Sequence, residues 1–154
     1  MDWRTVFAGL NSATAATQAI AALARRRHGT ARALLLELQR NINLIFLCRR
    51  DGAPAEKVIV RLETRKFETA VEAGFDFNTL ARKSVTPAMV KGAPALAPYA
   101  GWSTEQLFER VYLKIHELKA LAEIGTRHSP ARLGVRLANL LKLMLLLIKH
   151  IRPH

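Results

Sequence analysis

Apolar residues recur at alternating three- and four-residue steps along much of this chain, which is the spacing of one face of an α-helix. The C-terminal stretch is the clearest case, and its stripe is Leu133, Leu137, Leu140, Met144, Leu147 and Ile151. Similar stripes predict long helices over about residues 3–27 and 30–50. A further long helix is predicted between Ser103 and Gly125. The pattern therefore predicts an all-α protein.

Capping residues mark the ends of these helices. Ser103 followed by Gln106 is a capping box, and Ser129 followed by Pro130 combines an N-cap with a first-turn proline. Gly29 and Gly125 follow the predicted helices at positions where a left-handed residue is favoured. The short link around Gly29 predicts an antiparallel hairpin of the first two helices.

The middle of the chain is less regular. Short helices are predicted over about residues 54–62 and 64–74, although Val58, Ile59 and Val60 also have strand propensity. Residues 84–102 are rich in proline and glycine and predict a loop with one short turn after Thr86. We therefore expect a single helical domain over residues 1–154. It resembles a four-helix bundle, with short extra helices and a loop between the second and third long helices.

Two apolar runs are broader than one bundle seam requires. One includes Leu44 and Cys48, and the other includes Leu140 and Ile148. Either the short middle helices or a second subunit must cover them. We expect homo-oligomerisation, or a partner's helices, on these two surfaces.

The charge of the chain is strongly positive. It has 24 Lys and Arg against 12 Asp and Glu, a formal net charge of +12. Most of the excess lies in the first and last thirds of the sequence. Such an excess attracts nucleic acid, an anionic membrane surface or an acidic protein.

No segment has the composition of a membrane span. Residues 5–24 carry no charge, but alanine and polar residues dominate them, and Lys142 interrupts the C-terminal apolar run. Cys48 is the one cysteine, so no intrachain disulfide can form, and we interpret it as a small core residue. These features lead us to expect a cytoplasmic protein.

The densest basic site is the predicted turn that contains Arg25, Arg26, Arg27 and Arg32. Arginine binds phosphate through planar, bidentate donors, so the site is either a phosphate clamp or ordinary helix capping with solvated side chains. Free N–H groups at the start of the second helix would also face an anion.

A second basic cluster, Arg127, Arg132 and Arg136, gathers at the start of the last helix. Positive charge is unfavourable there, which suggests that these groups meet an anion, an acidic side chain or water. An up-down-up-down bundle would bring both clusters to one end and create one basic patch. That patch would bind nucleic acid, RNA rather than DNA, through its backbone.

One motif points to catalysis instead. Arg110 and His116 lie on the third long helix with five residues between them, which resembles the Arg-x(4–6)-His pattern of the HEPN superfamily of helical ribonucleases. The resemblance implies metal-independent RNA cleavage with His116 as general acid or base. The family usually has a polar residue directly after the arginine, where this chain has Val111.

Other site chemistry lacks its residues in the sequence. There is no Glu-x-x-His motif, no cysteine pair and no glycine-rich phosphate loop, so we expect neither a metal nor a cofactor. Our leading interpretation is a non-catalytic nucleic-acid-binding or scaffold subunit of a larger complex. The alternatives are the HEPN-like ribonuclease and a helical adaptor that binds an acidic protein or an anionic membrane.

Overall fold

A computed structural model describes residues 12–125 and 130–153, and no strand occurs in these ranges. Within them the chain forms seven α-helices and two short 3-10 segments, Phe77–Thr79 and Pro94–Tyr99. The α-helices are α1 (Ala13–Arg25), α2 (Gly29–Asp51), α3 (Ala55–Arg61), α4 (Arg65–Glu72), α5 (Pro87–Val90), α6 (Thr104–Ile124) and α7 (Pro130–Ile151). The all-α prediction is confirmed.

Local capping chemistry fixes several helix ends. The Ser12 side chain accepts a hydrogen bond from the N–H of Ala15 at 3.1 Å, so α1 begins at Ala13 and not near Trp3 as predicted. The part of the predicted helix that precedes Ser12 lies outside the residues that the structure describes. At α6, both hydrogen bonds of the Ser103–Gln106 capping box form as predicted. The residues with strand propensity lie in α3, where Val58 and Ile59 pack into the core.

The turn between α1 and α2 requires a glycine. Gly29 has φ of 56°, a left-handed value that residues with a side chain rarely adopt. It is the first residue of α2 instead of following a long first helix. The predicted antiparallel pairing of α1 with α2 follows from this short turn.

The directions of the long helices follow from contacts at both ends of α6. At its start, Thr104 donates a hydrogen bond to the carbonyl of Ala81, while Arg27 binds the carbonyl of Leu80. Further along α6, Tyr112 contacts Glu37 of α2, and Lys119 reaches the carbonyl of Leu62. The N-terminus of α6 therefore lies beside the α1–α2 turn, and α6 runs in the same direction as α2.

This topology differs from the up-down-up-down order that would join the two basic clusters. The long connection between α2 and α6 crosses back along the bundle, so α6 starts at the end where α2 starts. The direction of α7 is antiparallel to α6, because Nε2 of His150 lies 2.8 Å from Oγ1 of Thr104. The start of α7 is therefore at the far end from the α1–α2 turn.

Helix α7 lies at the centre of the molecule. Most of its residues from Leu140 to Ile151 are buried, and Lys142 and Lys149 are partly exposed. Other helices of the same chain, including α2, α3, α5 and α6, pack around it. The expectation that a second subunit or a partner's helices lie on the apolar run including Leu140 and Ile148 is therefore wrong, since helices of the same chain cover it, the short α3 and α5 among them. In the other apolar run, which includes Leu44 and Cys48, the Leu47 side chain remains 40% exposed.

Two buried polar residues of α2 hold the irregular link between α3 and α4. The Glu37 carboxylate accepts hydrogen bonds from the backbone N–H groups of Lys66 and Phe67 at 2.7 and 3.1 Å. The Asn41 side chain donates to the carbonyl of Glu63 and accepts from its N–H. These bonds satisfy backbone groups at the start of α4 that have no helical partner.

No helix within the described ranges combines the length and the apolar character needed to cross a membrane.

Candidate nucleic-acid interface

The predicted basic cluster at the α1–α2 turn separates into two kinds of residue. Arg25, Arg26 and Arg32 have exposed side chains. Arg27 is partly buried and donates hydrogen bonds to the carbonyls of Thr79 and Leu80, at 3.4 and 3.1 Å. The guanidinium of Arg27 therefore joins the turn to the loop after the first 3-10 segment.

That loop brings two further cations to the same end of the bundle. Arg82 and Lys83 are exposed and lie within three residues of Leu80, which Arg27 contacts. Since a residue spans at most about 3.6 Å, their backbone lies within roughly 11 Å of the Leu80 backbone. We call Arg25, Arg26, Arg32, Arg82 and Lys83 the end patch.

The five cations of the end patch are exposed side chains. None of these five residues forms an ion pair with another residue in the part of the chain that the structure describes. Asp76 and Glu105 are acidic residues on neighbouring segments, and neither forms an ion pair with a cation of the end patch. The Asp76 carboxylate accepts from the N–H of Asn78, and Glu105 lies in the first turn of α6. The positive charge of the patch is therefore open to an external anion.

An open groove of about 380 Å³ runs along the loop side of the end patch. Its walls are Asn78, Ala81, Arg82, Lys83, Ser84 and Ser103. Two side chains shape it, because the Asn78 amide oxygen accepts from the N–H of Glu105, and Ser103 caps α6. At the facing turn, His28 is the N-cap of α2 and makes no side-chain capping bond. Hydroxyl groups, cations and backbone donors thus converge at this end.

The second predicted cluster is not joined to the first. Arg132 and Arg136 are exposed on the first two turns of α7, while Arg127 lies outside the described residues. Arg132 is 18 residues before His150, which corresponds to about 27 Å along a helix. Since His150 contacts Thr104 near the end patch, the two clusters lie at opposite ends of the bundle.

Arg110 and His116 do not converge on one site within the chain. The Arg110 guanidinium carbon lies 5.4 Å from the centre of the Trp102 ring. Nε2 of His116 lies 3.5 Å from the Glu68 carboxylate on α4. Six positions along an α-helix turn a side chain by about 600°, so the two residues point roughly 120° apart.

Sequence reasoning missed Arg82 and Lys83 as candidate site residues. The available signal was a pair of adjacent cations before a proline-rich loop, but the spacing along the chain does not place that loop against the α1–α2 turn. It also missed the buried Tyr112, whose hydroxyl donates to the Glu37 carboxylate at 2.9 Å. Burial and the adjacent carboxylate raise the pKa of Tyr112 well above its ordinary value, which suits a neutral structural donor.

No three His, Cys, Asp or Glu side chains in residues 12–125 and 130–153 are grouped closely enough to hold a metal ion. The chemistry available at the end patch is therefore that of hydroxyl groups, backbone donors and unpaired cations. Comparison of the chain with protein-family models, with curated proteins and with solved structures finds no match.

Proposed function

We propose that this protein is a non-catalytic, basic helical subunit that binds the backbone of nucleic acid, RNA rather than DNA, as part of a larger complex. The observation that carries the proposal is the end patch. Five exposed cations from two separate segments meet at one end of the bundle without a carboxylate partner among the described residues. Phosphate oxygens are the natural partners of such a surface.

The size of the patch sets the expected salt dependence. If each of its five cations neutralises one phosphate of a single strand, the logarithm of affinity falls with the logarithm of salt with a slope of about −3.5. Between 50 and 200 mM salt this slope lowers the affinity by about 100-fold. Binding with a much weaker salt dependence would mean that fewer cations take part.

The test measures fluorescence anisotropy of a labelled 20-nucleotide single-stranded RNA at several salt concentrations. The Arg82→Ala/Lys83→Ala double variant removes two patch cations. We expect it to reduce the slope by about 1.4 and the affinity at 0.15 M salt by about tenfold. The matched control is Lys57→Ala/Arg61→Ala, which removes two exposed cations from α3. An equal loss in the control would show that net charge, and not the patch, drives binding.

The Arg132→Ala/Arg136→Ala variant tests the far end of the bundle in the same assay. Because these arginines lie opposite the end patch, we expect a smaller loss than for the Arg82/Lys83 pair. A larger loss would move the interface to the start of α7. Absence of RNA binding at 0.15 M salt, together with affinity for anionic vesicles or an acidic protein, would favour an adaptor function instead.

The same RNA also tests the ribonuclease interpretation. Incubation in the presence of EDTA and separation on a denaturing gel would reveal metal-independent cleavage. Cleavage that disappears in the His116→Ala variant would support the HEPN-like alternative. We expect intact RNA, because Arg110 and His116 contact different partners on different sides of α6.

A further inference from the structure

A second groove lies beside the end patch, around Trp102. It has a volume of about 230 Å³, and its walls are Trp102, Gln106, Glu109, Arg110 and Leu113. We call it the Trp102 groove. At about 30 Å³ per water molecule, it holds a group the size of seven or eight waters. This is room for one planar ring system.

The two grooves share a rim. Trp102 and Ser103 are adjacent in sequence, so their Cα atoms lie about 3.8 Å apart, and Ser103 is a wall of the groove that contains Arg82 and Lys83. The segments are held together by two backbone hydrogen bonds, Val85 N–H to Trp102 carbonyl at 2.8 Å and Gly101 N–H to Val85 carbonyl at 2.7 Å. A ligand that enters both grooves would therefore cross the Trp102–Ser103 segment.

The walls of the Trp102 groove suit an aromatic ring more than a phosphate. The Arg110 guanidinium carbon lies 5.4 Å from the centre of the Trp102 ring, and the rings of Tyr99 and Trp102 are nearly perpendicular with their centres 4.8 Å apart. These contacts hold the Trp102 ring and the guanidinium in place. The Leu113 side chain adds an apolar wall that is 48% exposed. The groove walls carry one acidic and one basic side chain, Glu109 and Arg110, so their formal charges sum to zero.

We propose that the Trp102 groove takes an unstacked nucleobase of a single-stranded RNA whose adjacent phosphate binds Arg82 and Lys83. Unpaired bases stack on aromatic rings and on arginine planes, which are the groups this groove offers. Glu109 and Gln106 supply an acceptor and an amide for the edge of the base. This inference rests on the proposed function, since the phosphate contacts bring the strand to the groove.

The experiment follows Trp102 fluorescence in the Trp3→Phe variant, which leaves Trp102 as the one tryptophan in the chain. Titration with the single-stranded 20-nucleotide RNA should quench this fluorescence with the same midpoint as the anisotropy change. Inorganic polyphosphate has the charge of a backbone but no base. It should compete for the end patch without quenching Trp102.

The Arg110→Lys variant provides the second measurement. It keeps the positive charge and removes the flat guanidinium, so we expect at least a fivefold loss of affinity with an unchanged salt slope. The matched control is Arg65→Lys, an exposed residue of α4, for which we expect no change.

The outcomes separate this inference from the proposed function. RNA binding with the expected salt slope, but without quenching and with Arg110→Lys equal to the parent protein, overturns the base site and leaves the phosphate-binding function. Equal quenching by polyphosphate also overturns the base site. Absence of any RNA binding at 0.15 M salt overturns the proposed function and the base site with it.

Discussion

Arg27 gives the sharpest test of how the basic turn is divided between structure and binding. Its guanidinium donates to the carbonyls of Thr79 and Leu80, while the adjacent Arg26 is exposed. We therefore expect Arg27→Ala to lower the stability of the fold and Arg26→Ala to lower affinity for RNA. Of these two neighbouring arginines, one should thus affect mainly stability and the other mainly RNA binding.

The expected loss of stability in Arg27→Ala follows from the two hydrogen bonds that Arg27 makes. A hydrogen bond from a charged donor contributes roughly 1.5–3 kcal/mol when well buried. One of these bonds is long, at 3.4 Å, and the side chain is partly exposed, so water replaces part of the loss. We expect Arg27→Ala to reduce the free energy of unfolding by about 1–2 kcal/mol. For a chain of this length that corresponds to a fall in Tm of about 3–6 °C.

The assay is thermal unfolding followed by circular dichroism, with RNA titrations below the transition. Arg26→Ala should change the free energy of unfolding by less than about 0.5 kcal/mol, because its side chain is exposed. It should reduce the salt slope of RNA binding by about 0.7, whereas Arg27→Ala should leave the slope unchanged. A parent Tm together with a reduced salt slope in Arg27→Ala would show instead that Arg27 binds RNA and does not stabilise the turn.

Three further predictions concern buried or partly buried groups. Glu37→Gln should reduce the free energy of unfolding by about 2–4 kcal/mol in urea titrations. An amide cannot accept from all three donors of Glu37, which are two backbone N–H groups and the Tyr112 hydroxyl. Because the two side chains share a hydrogen bond, the effects of Glu37→Gln and Tyr112→Phe should not be additive. The pKa of Tyr112 is raised in the fold, so its contribution to the free energy of unfolding is complete below about pH 10 and is lost as the pH rises above that value. The loss of stability at alkaline pH should therefore be smaller in Tyr112→Phe than in the parent protein. Burial raises the pKa of the Cys48 thiol, so iodoacetamide at pH 8 should alkylate Cys48 several-fold more slowly in the folded than in the urea-unfolded protein, as mass spectrometry would measure. Equal rates would contradict its packed environment.

The helical elements follow largely from local sequence. Capping and helical spacing act over a few residues, so the Ser103–Gln106 box correctly predicted the start of α6 and Gly125 its end. The first helix was predicted to begin near residue 3 because apolar residues keep helical spacing on both sides of Ser12. The side chain of Ser12 instead caps α1, and no periodicity reveals which of these two tendencies prevails.

The sequence contains polar residues on the apolar side of α2, but only the tertiary packing shows which groups they bind. Glu37 and Asn41 are four residues apart on the buried side of α2. Their positions indicate buried acceptors and donors. Their partners, however, come from a link more than twenty residues away, so only the fold identifies what they bind.

The sequence by itself determined that this protein is helical, strongly basic and rich in arginine near the first turn. Those properties depend on composition and on interactions within a helix. The direction of α6 depended on the tertiary path of the middle section, which returns the chain to the α1–α2 end. That path separates Arg132 and Arg136 from the end patch, brings Arg82 and Lys83 into it, and puts Trp102 beside them. Charge and spacing are local, whereas the neighbours of a charge are decided by how distant segments pack.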